Sequence, residues 1–432
     1  MSDAIPLPPR PNLEQYKKLA KDLQHACNSN DSRAIRDWAA GWTERIAESL
    51  SSPGPRGQAK HIERRWHAFR KREGQAAPCK LAEAQFFIAR EHGFASWPKF
   101  AMYVERISRA YSRTGNFEAA ADAIVAGKME ILNKLLREDP SLIHARSERD
   151  HHSTLLHYVS ANGVEDFRQK TPKNVVAIAK VLLDAGAEVD AESDAYGGGS
   201  TTLGLVATSA HPERAGVQEE LMRLLIDRGA NIDHSAGGGN HQRIVNACLA
   251  NGRGKGAEFL TEHGVQLDLE GAAGVGNLEV LRQFFAQDGS LKPPATQKQL
   301  ENGFAWACEY GRREAVEFLL KHGVDVGKSP DNTRATGLHW AAFSGYAEIV
   351  KLLLENGAKV DVRDKTYDGT PLDWALYAWN DSSDRPNRYY DVVRLLVRAG
   401  AKWKPEASEQ IADKVRSDRR MSGALRGVIV EG

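Results

Sequence analysis

The chain carries almost no net charge, because its 432 residues include 58 Lys and Arg against 57 Asp and Glu. It therefore lacks an overall field that would attract nucleic acid or an anionic membrane. No stretch reaches the roughly 18 apolar residues that a membrane-spanning helix needs. The N-terminus, MSDAIPLPPRPNLEQ, has neither the charged start nor the apolar run of a signal peptide. These absences predict a soluble, cytoplasmic protein without a membrane partner.

Cysteine is scarce, and the spacing of the four cysteines matches neither a zinc site nor a disulfide framework. We expect reduced thiols, as is usual in the cytosol. Several histidines on neighbouring loops also lack the close spacing of metal ligands. The cysteines are Cys27, Cys79, Cys248 and Cys308, and the histidines are His151, His152, His211, His234 and His241. The sequence therefore predicts no metal site and no cofactor.

Motifs for nucleotide binding and nucleophilic catalysis are also missing. There is no G-x-S-x-G. The glycine runs YGGGS (196–200) and AGGGN (236–240) lack the G-K-[ST] ending of a phosphate-binding loop, whose lysine meets the phosphates. They are interpreted as flexible loop tips, or as turns whose backbone N–H groups could meet an anion at a helix start. The chain is predicted to be a binding protein rather than an enzyme.

A repeat of about 34 residues fills most of the chain. The segment ATGLHWAAFSGYAEIVKLLLENGAKVDVRD (335–364) reads as a short helix, a turn, a Leu-rich helix and a Gly-Ala exit. An exit glycine recurs with spacings of 43, 35, 25, 34, 34 and 43 residues. These glycines are Gly186, Gly229, Gly264, Gly289, Gly323, Gly357 and Gly400. Glycine ends a helix in a left-handed conformation without a Cβ clash, so each unit is predicted to close a helix pair.

These units resemble the ankyrin repeat family over about 115–405, most strongly in 336–358. The matching positions there are Thr336, Leu338, His339, Ala341, Ala342, Gly345, Leu353, Gly357 and Ala358. Gly337 stands where the family prefers Pro, and Asp373 where it prefers His. The resemblance implies an all-α solenoid of about eight helix pairs, each stabilised by its neighbours. The whole chain is also similar to soluble bacterial ankyrin proteins with a helical N-terminal extension.

The chain is accordingly predicted to have three parts: a helical domain at 1–110, the solenoid at 111–405 and a C-terminal capping helix or tail at 406–432. In the first part, SSPGPRG (51–57) is expected to be a loop and KHIERRWHAFRKR (60–72) a basic helix. Its arginines could hold nucleic acid, but a solvated helix face with Trp66 and Phe69 in the core is favoured. Nucleic acid is therefore an unlikely partner, and the chain is expected to be a monomer.

Two hypotheses for function remain open. In the first, a protein or peptide binds the concave face, where aromatic side chains follow the small residues of the inner helices. The contact residues would be Tyr310, Phe343 and Tyr377, with Arg334 and Tyr367 at the loops. A stripe at 34-residue spacing, Trp306, Trp340 and Trp374, is instead expected to pack between helices.

In the second hypothesis, insertions in the second and third units (163–173 and 208–217) enclose a polar pocket. Acid–base candidates would be Glu165, His157 and His211, and Arg168 would clamp an anion. The other lining residues would be Tyr158, Asn162, Gln169, Tyr196, Gly197, Gly198 and Gly199. Against this, His157 occupies the family's histidine position, which implies a structural bond to backbone between units.

Overall fold

A computed structural model describes residues 5–8, 11–29, 31–46, 54–73, 78–108, 112–234, 243–330, 333–381, 387–404 and 408–429. The glycine run at 236–240 and His241 lie outside these residues. The chain divides into two compact units, Met1–Ala247 and Cys248–Gly432. Among the described helices, none is both long and apolar enough to cross a membrane.

Five helices form the N-terminal part of the first unit. They are α1 (Leu13–Cys27), α2 (Ala34–Arg45), α3 (Gly54–Glu73), α4 (Leu81–Glu91) and α5 (Trp97–Ile107). Their apolar faces meet in one aromatic-rich core that includes Trp66, Phe87 and Phe100. Ser96 caps α5, since its hydroxyl accepts a hydrogen bond from Lys99 N.

Two expectations for this part were wrong. Residues 54–57 of the predicted loop lie in the first turn of α3. Proline is tolerated there because the N–H groups of a first turn have no carbonyl acceptor within the helix, so the missing N–H costs nothing. Cys27 and Cys79 form a disulfide across a sequence separation of 52 residues. No spacing signal marks this pair in the sequence, because α1 and the start of α4 approach only in the folded chain. Cys248 and Cys308 are free and buried.

The rest of the first unit contains helix pairs with irregular additions. The first pair is α6 (Arg113–Val125) and α7 (Met129–Glu138), followed by the 3-10 helix Pro140–His144. The second repeat has the 3-10 helices Leu155–Ser160 and Asp166–Arg168 before α8 (Val175–Asp184). A short antiparallel hairpin, β1 (Glu192–Ser193) and β2 (Ser200–Thr201), leads to the third repeat. That repeat has α9 (Thr202–Thr208), α10 (Ala210–Arg214) and α11 (Gln218–Asp227).

The second unit is more regular. Helix α12 (Ile244–Ala250) leads into it and is followed by α13 (Gly254–Glu262). The inner and outer helices of the next repeats are α14 (Leu269–Val275) with α15 (Leu278–Gln283), α16 (Gln297–Glu309) with α17 (Arg313–Lys321), α18 (Gly337–Phe343) with α19 (Ala347–Glu355), and α20 (Pro371–Asp381) with α21 (Asn387–Arg398). Inner helices α14, α16, α18 and α20 pack one on the next. One apolar core therefore continues from Leu269 to Ala424. Helices α22 (Glu409–Ser417) and α23 (Arg419–Ala424) follow, and α23 packs on α21.

The exit glycines end most of the outer helices as the sequence predicts. Gly357 has φ 85° and donates to Leu354 O at 3.0 Å, while Ala358 N donates to Leu353 O at 3.0 Å. This pair of bonds satisfies carbonyls that the helix end leaves free. Gly289 differs, because it lies in a turn between Phe285 and Leu291, beyond the end of α15. The 25-residue spacing from Gly264 to Gly289 is short because α14 already begins at Leu269, five residues after Gly264.

Candidate functional site

Exposed aromatic rings gather in the seventh and eighth repeats, on α18, on α20 and in the loop before α20. The exposed fractions are 37% for Phe343, 61% for Tyr377 and 78% for Tyr367. Trp374 lies among them, with its ring centroid 5.8 Å from that of Phe343 and 6.4 Å from that of Tyr367. We call the set Trp340, Phe343, Tyr367, Trp374 and Tyr377 the aromatic surface.

The tryptophan stripe is only partly a packing feature. Trp340 packs against the apolar core and meets Trp374 edge to face at 5.1 Å between centroids. Trp306, Trp340 and Trp374 are each half-buried. A tryptophan in this position therefore covers the core with one edge and presents the other to solvent. Trp340 and Trp374 provide a rigid base for the exposed rings.

Asp364 organises the loop that carries Tyr367. Its carboxylate accepts hydrogen bonds from Tyr367 N at 2.7 Å, Gly369 N at 2.9 Å and Trp374 Nε1 at 2.9 Å. Partial burial acts to raise the pKa of Asp364, but these bonds outweigh it and hold the pKa below its ordinary value. The loop and the indole are thereby fixed together, so the Tyr367 ring is presented from a constrained turn.

The remaining two predicted contact residues differ from each other. Arg334 is exposed, with a φ of 61° in the loop before α18. Tyr310 is half-buried, and its hydroxyl donates to Leu249 O. Its ring packs so close to Gly254 that a Cβ there would lie 2.8 Å from it. The residue 34 positions before Phe343 is Glu309, not Tyr310. The register of the repeat therefore separates Tyr310 from the aromatic surface.

In the second repeat, the structure brings Glu165 and Arg168 together inside the first unit. Arg168 Nη1 lies 3.3 Å from Glu165 Oε1 and 2.7 Å from Glu118 Oε2. Arg149 Nε lies 2.5 Å from Glu165 Oε1. We call Glu118, Arg149, Glu165 and Arg168 the buried ion cluster. Arg168 is 3% exposed, so its guanidinium lies in the interior of the first unit and not at the surface of the insertion.

Burial and charge oppose each other in this cluster. Burial acts to raise the pKa of Glu165, but the positive charges of Arg168 and Arg149 hold that pKa well below its ordinary value. The carboxylate therefore stays ionised, and Arg168 serves as its counter-ion. Arg168 also places Nη2 2.8 Å from Asp122 Oδ1, so its donors face three carboxylates.

The other residues of the hypothetical polar pocket bond within the repeats. Asn162, just before the first insertion, donates from Nδ2 to Thr208 Oγ1 at 3.1 Å, and Tyr196 donates to Asn162 Oδ1 at 2.5 Å. Gln169 Nε2 donates to Val164 O at 2.9 Å, and the Tyr158 side chain is fully buried. Gly197, Gly198 and Gly199 have positive φ in the β1–β2 hairpin loop.

The two histidine candidates are also separate. His157 Nε2 lies 3.2 Å from Ser200 O, and Nδ1 accepts from Thr154 N at 3.1 Å, which is the structural role the resemblance implies. His211 lies in the first turn of α10 and is half-buried. Neither histidine joins Glu165, so the proposed acid–base set is not assembled. Among the described residues, no cluster of His, Cys, Asp and Glu could hold a metal ion.

The first unit contains a cavity of about 580 Å³, which lies between the second repeat and helices α3 and α4. Helices α3 and α4 form one wall through Arg65, Phe69, Arg72, Phe86 and Arg90, and the second repeat forms the other through the ranges 149–151, 163–165 and 195–196. Of the predicted pocket residues, Glu165 and Tyr196 line it. No periodicity could reveal this cavity, because it arises where the N-terminal helices pack on a repeat.

Comparison with known proteins identifies the repeats. The family model of ankyrin repeats in three copies matches residues 269–364 and 306–406. The crystal structure of the human ASB11 ankyrin repeat domain is similar with a TM-score of 0.34 and 19% sequence identity, over 66% of this chain and 99% of that chain. No curated protein matches the sequence.

Repeats of this family are generally modules for protein–protein interaction. The matched residues span the packed inner helices and the aromatic surface of the second unit. Helix pairs and exit glycines continue outside the matched residues, and the second repeat has the same Thr-x-x-His helix start at Thr154 and His157. Residues 269–406 are therefore ankyrin repeats, and helix pairs make up the described part of an all-α chain.

Proposed function

We propose that this protein binds a protein or peptide partner through the aromatic surface on the concave side of its second unit. The observation that supports this most directly is the exposure of Phe343, Tyr367 and Tyr377 on consecutive repeats. Large apolar side chains exposed in one place on a folded protein are typical of an interaction site. Tyrosine and tryptophan are also the residues most enriched among those that dominate binding energy.

The surface is preorganised, which favours binding over chance exposure. The ring contacts with Trp374 and the hydrogen bonds to Asp364 restrict the rings before a partner arrives. A partner therefore loses less free energy on ordering the interface. Arg334 adds one positive charge at the adjacent loop and would meet an acidic or carbonyl group on the partner.

The proposal is tested by selecting peptides from a random displayed library on the purified full chain. The double variant Phe343→Ala/Tyr377→Ala should weaken the selected peptides by about 30-fold or more, since such anchors are each worth at least ~1 kcal/mol. Ile131→Ala is the matched control, because Ile131 is 45% exposed on α7 in the first unit. Selected peptides that bind the double variant as tightly as the unchanged chain would contradict the proposal.

A further inference from the structure

The cavity beside the second repeat is held open by specific contacts between two parts of the first unit. Arg149 Nη1 donates to His92 O at 2.7 Å, and Asp150 N donates to Gly93 O at 3.2 Å. Arg90 Nη1 also lies 3.1 Å from Asp150 Oδ2. These contacts fix the loop of the second repeat to the turn between α4 and α5. A volume of about 580 Å³ is in the range of small-molecule sites.

The charges that line the cavity do not cancel. Its three carboxylates are each paired with an arginine of the lining, in the pairs Glu91–Arg65, Asp150–Arg90 and Glu165–Arg149. Arg72 is a fourth arginine; it is exposed and makes no ion pair with any described residue. Arg90 is 47% exposed and directs only Nη1 at Asp150. The cavity therefore has a surplus positive charge with guanidinium donors available for an anion.

Aromatic rings form the wall beside these arginines. The ring of Phe69 lies 5.9 Å from the rings of both Phe86 and Phe87, measured between centroids. Phe86 is 38% exposed and Tyr196 is 49% exposed. Both line the cavity, so their rings are open to a planar group that could stack on them. A plain inorganic anion would leave this apolar wall in contact with water.

The opposite wall has buried polar atoms with unused hydrogen-bonding capacity. Glu165 Oε2 has no hydrogen-bond partner among the described residues, and His151 Nε2 lies 3.5 Å from the other oxygen of that carboxylate, Glu165 Oε1. Both side chains line the cavity. Glu165 is 2% exposed. A buried carboxylate oxygen without a donor is costly, and a ligand hydroxyl or amino group would satisfy it.

We propose that this cavity binds a small aromatic anion that also carries a hydroxyl or amino donor. The anionic group meets Arg72 and Arg90, the ring stacks on Phe86, and the donor reaches the Glu165 side of the cavity. Nucleoside monophosphates have all three groups, and phenyl phosphate has the ring and the anion without the donor. The site lies entirely in the first unit, so it is independent of the aromatic surface of the second unit.

Isothermal titration of the full chain with adenosine monophosphate and with phenyl phosphate tests the proposal. Adenosine lacks the anion and inorganic phosphate lacks the ring, so both should bind at least about tenfold more weakly than adenosine monophosphate. Arg72→Ala and Phe86→Ala should each weaken the aromatic anions by about tenfold, since each removes one contact worth ~1.4 kcal/mol. Both residues are exposed, so the fold should persist, which circular dichroism checks.

Arg137→Ala and Ile131→Ala are matched controls, because both residues are exposed on α7 and neither lines the cavity. They should leave the affinity unchanged. The proposal is overturned if neither aromatic anion binds at millimolar concentration. It is equally overturned if inorganic phosphate binds as tightly as the aromatic anions, or if Arg72→Ala and Phe86→Ala have no effect.

Discussion

The second and seventh repeats begin in the same way and then diverge. In both, the first threonine and the histidine three residues later cap the inner helix: Thr154 N donates to His157 Nδ1, and Thr336 N donates to His339 Nδ1, each at 3.1 Å. In both, the histidine Nε2 reaches a backbone carbonyl in the next loop, at 3.2 Å for Ser200 and 3.3 Å for Gly369. The start motif therefore fixes the loop contact whether or not the rest of the repeat is regular.

The residues after this start motif decide the character of the repeat. The seventh repeat continues as α18, with the small residues Ala341 and Ala342 fully buried against neighbouring inner helices. The second has Val159 and Ser160 at the equivalent places and forms a 3-10 helix that ends at Ala161 with φ 48°. Its chain then enters the insertion, which brings Glu165 and Arg168 into the interior. One repeat is stabilised by apolar packing, and the other depends on buried charges as well.

The largest expected effect comes from breaking the buried ion cluster. Arg168→Met should lower the free energy of unfolding by about 3–5 kcal/mol, because it leaves Glu118 and Glu165 buried with too few counter-charges. Urea denaturation followed by circular dichroism measures the loss. The exposed Arg137→Met on α7 is the control and should change stability by less than about 0.5 kcal/mol. An equally small change for Arg168→Met would show that the cluster does not stabilise the repeat.

A somewhat smaller effect is expected from pH and the shared histidine. Burial lowers the pKa of His157 to about 4, although its bond to Ser200 O acts to raise it. Between about pH 6.5 and 4, the unfolded chain binds a proton at this histidine that the folded chain does not bind. This group therefore contributes a loss of stability as pH falls through that range, of about 3 kcal/mol at most.

His157→Asn should remove this contribution, so the difference in unfolding free energy between unchanged and variant chains should shrink from pH 7 to pH 5. Burial also lowers the pKa of His339, so His339→Asn should act in the same direction. Other titrating groups remain in every variant and cancel in the difference. His144 is exposed, and His144→Asn is the control. A difference that stays constant with pH for His157→Asn would contradict the buried neutral state.

The features that sequence could predict are local ones. Thr336, His339 and Gly357 lie within one repeat, and their roles follow from capping and from left-handed backbone at helix ends. The buried ion cluster could not be predicted in this way, because Glu118, Arg149 and Glu165 come from three separate segments. Polar residues of a loop are generally exposed, so the sequence gives no signal that Arg168 is buried. Its burial depends on tertiary pairing, which periodicity does not record.

Sequence reasoning finds one of the two candidate sites and not the other. Phe343 and Tyr377 are predicted contacts because a repeat puts equivalent positions on one surface, and Tyr367 is predicted from its place in the adjacent loop. All three side chains are exposed, as such contacts require. Tyr310 was misplaced by one residue in the register. The cavity was missed because Arg65, Arg72 and Phe86 belong to helices outside the repeat pattern. A site formed between a repeat and a non-repeat helix leaves no periodic signal.

The smallest expected effect concerns Gly337, where the seventh repeat departs from the family preference for Pro. A proline should favour the helix start, as Pro371 does in the eighth repeat. A Cβ on Gly337 would, however, lie 2.9 Å from Cys308 Sγ and 3.0 Å from Phe304 Cε1. Gly337→Pro should therefore destabilise the chain by about 1–2 kcal/mol through overpacking.

Overpacking is distinguished from a backbone effect by making Gly337→Pro in a chain that also carries Cys308→Ala. Removing the sulfur should recover part of the loss, so the two substitutions should be non-additive by at least ~0.5 kcal/mol. Urea denaturation of the four chains measures this coupling. If Gly337→Pro instead stabilises the chain, the inner helices of the sixth and seventh repeats can separate slightly without loss. In that case the glycine is a tolerated departure rather than one that close packing requires.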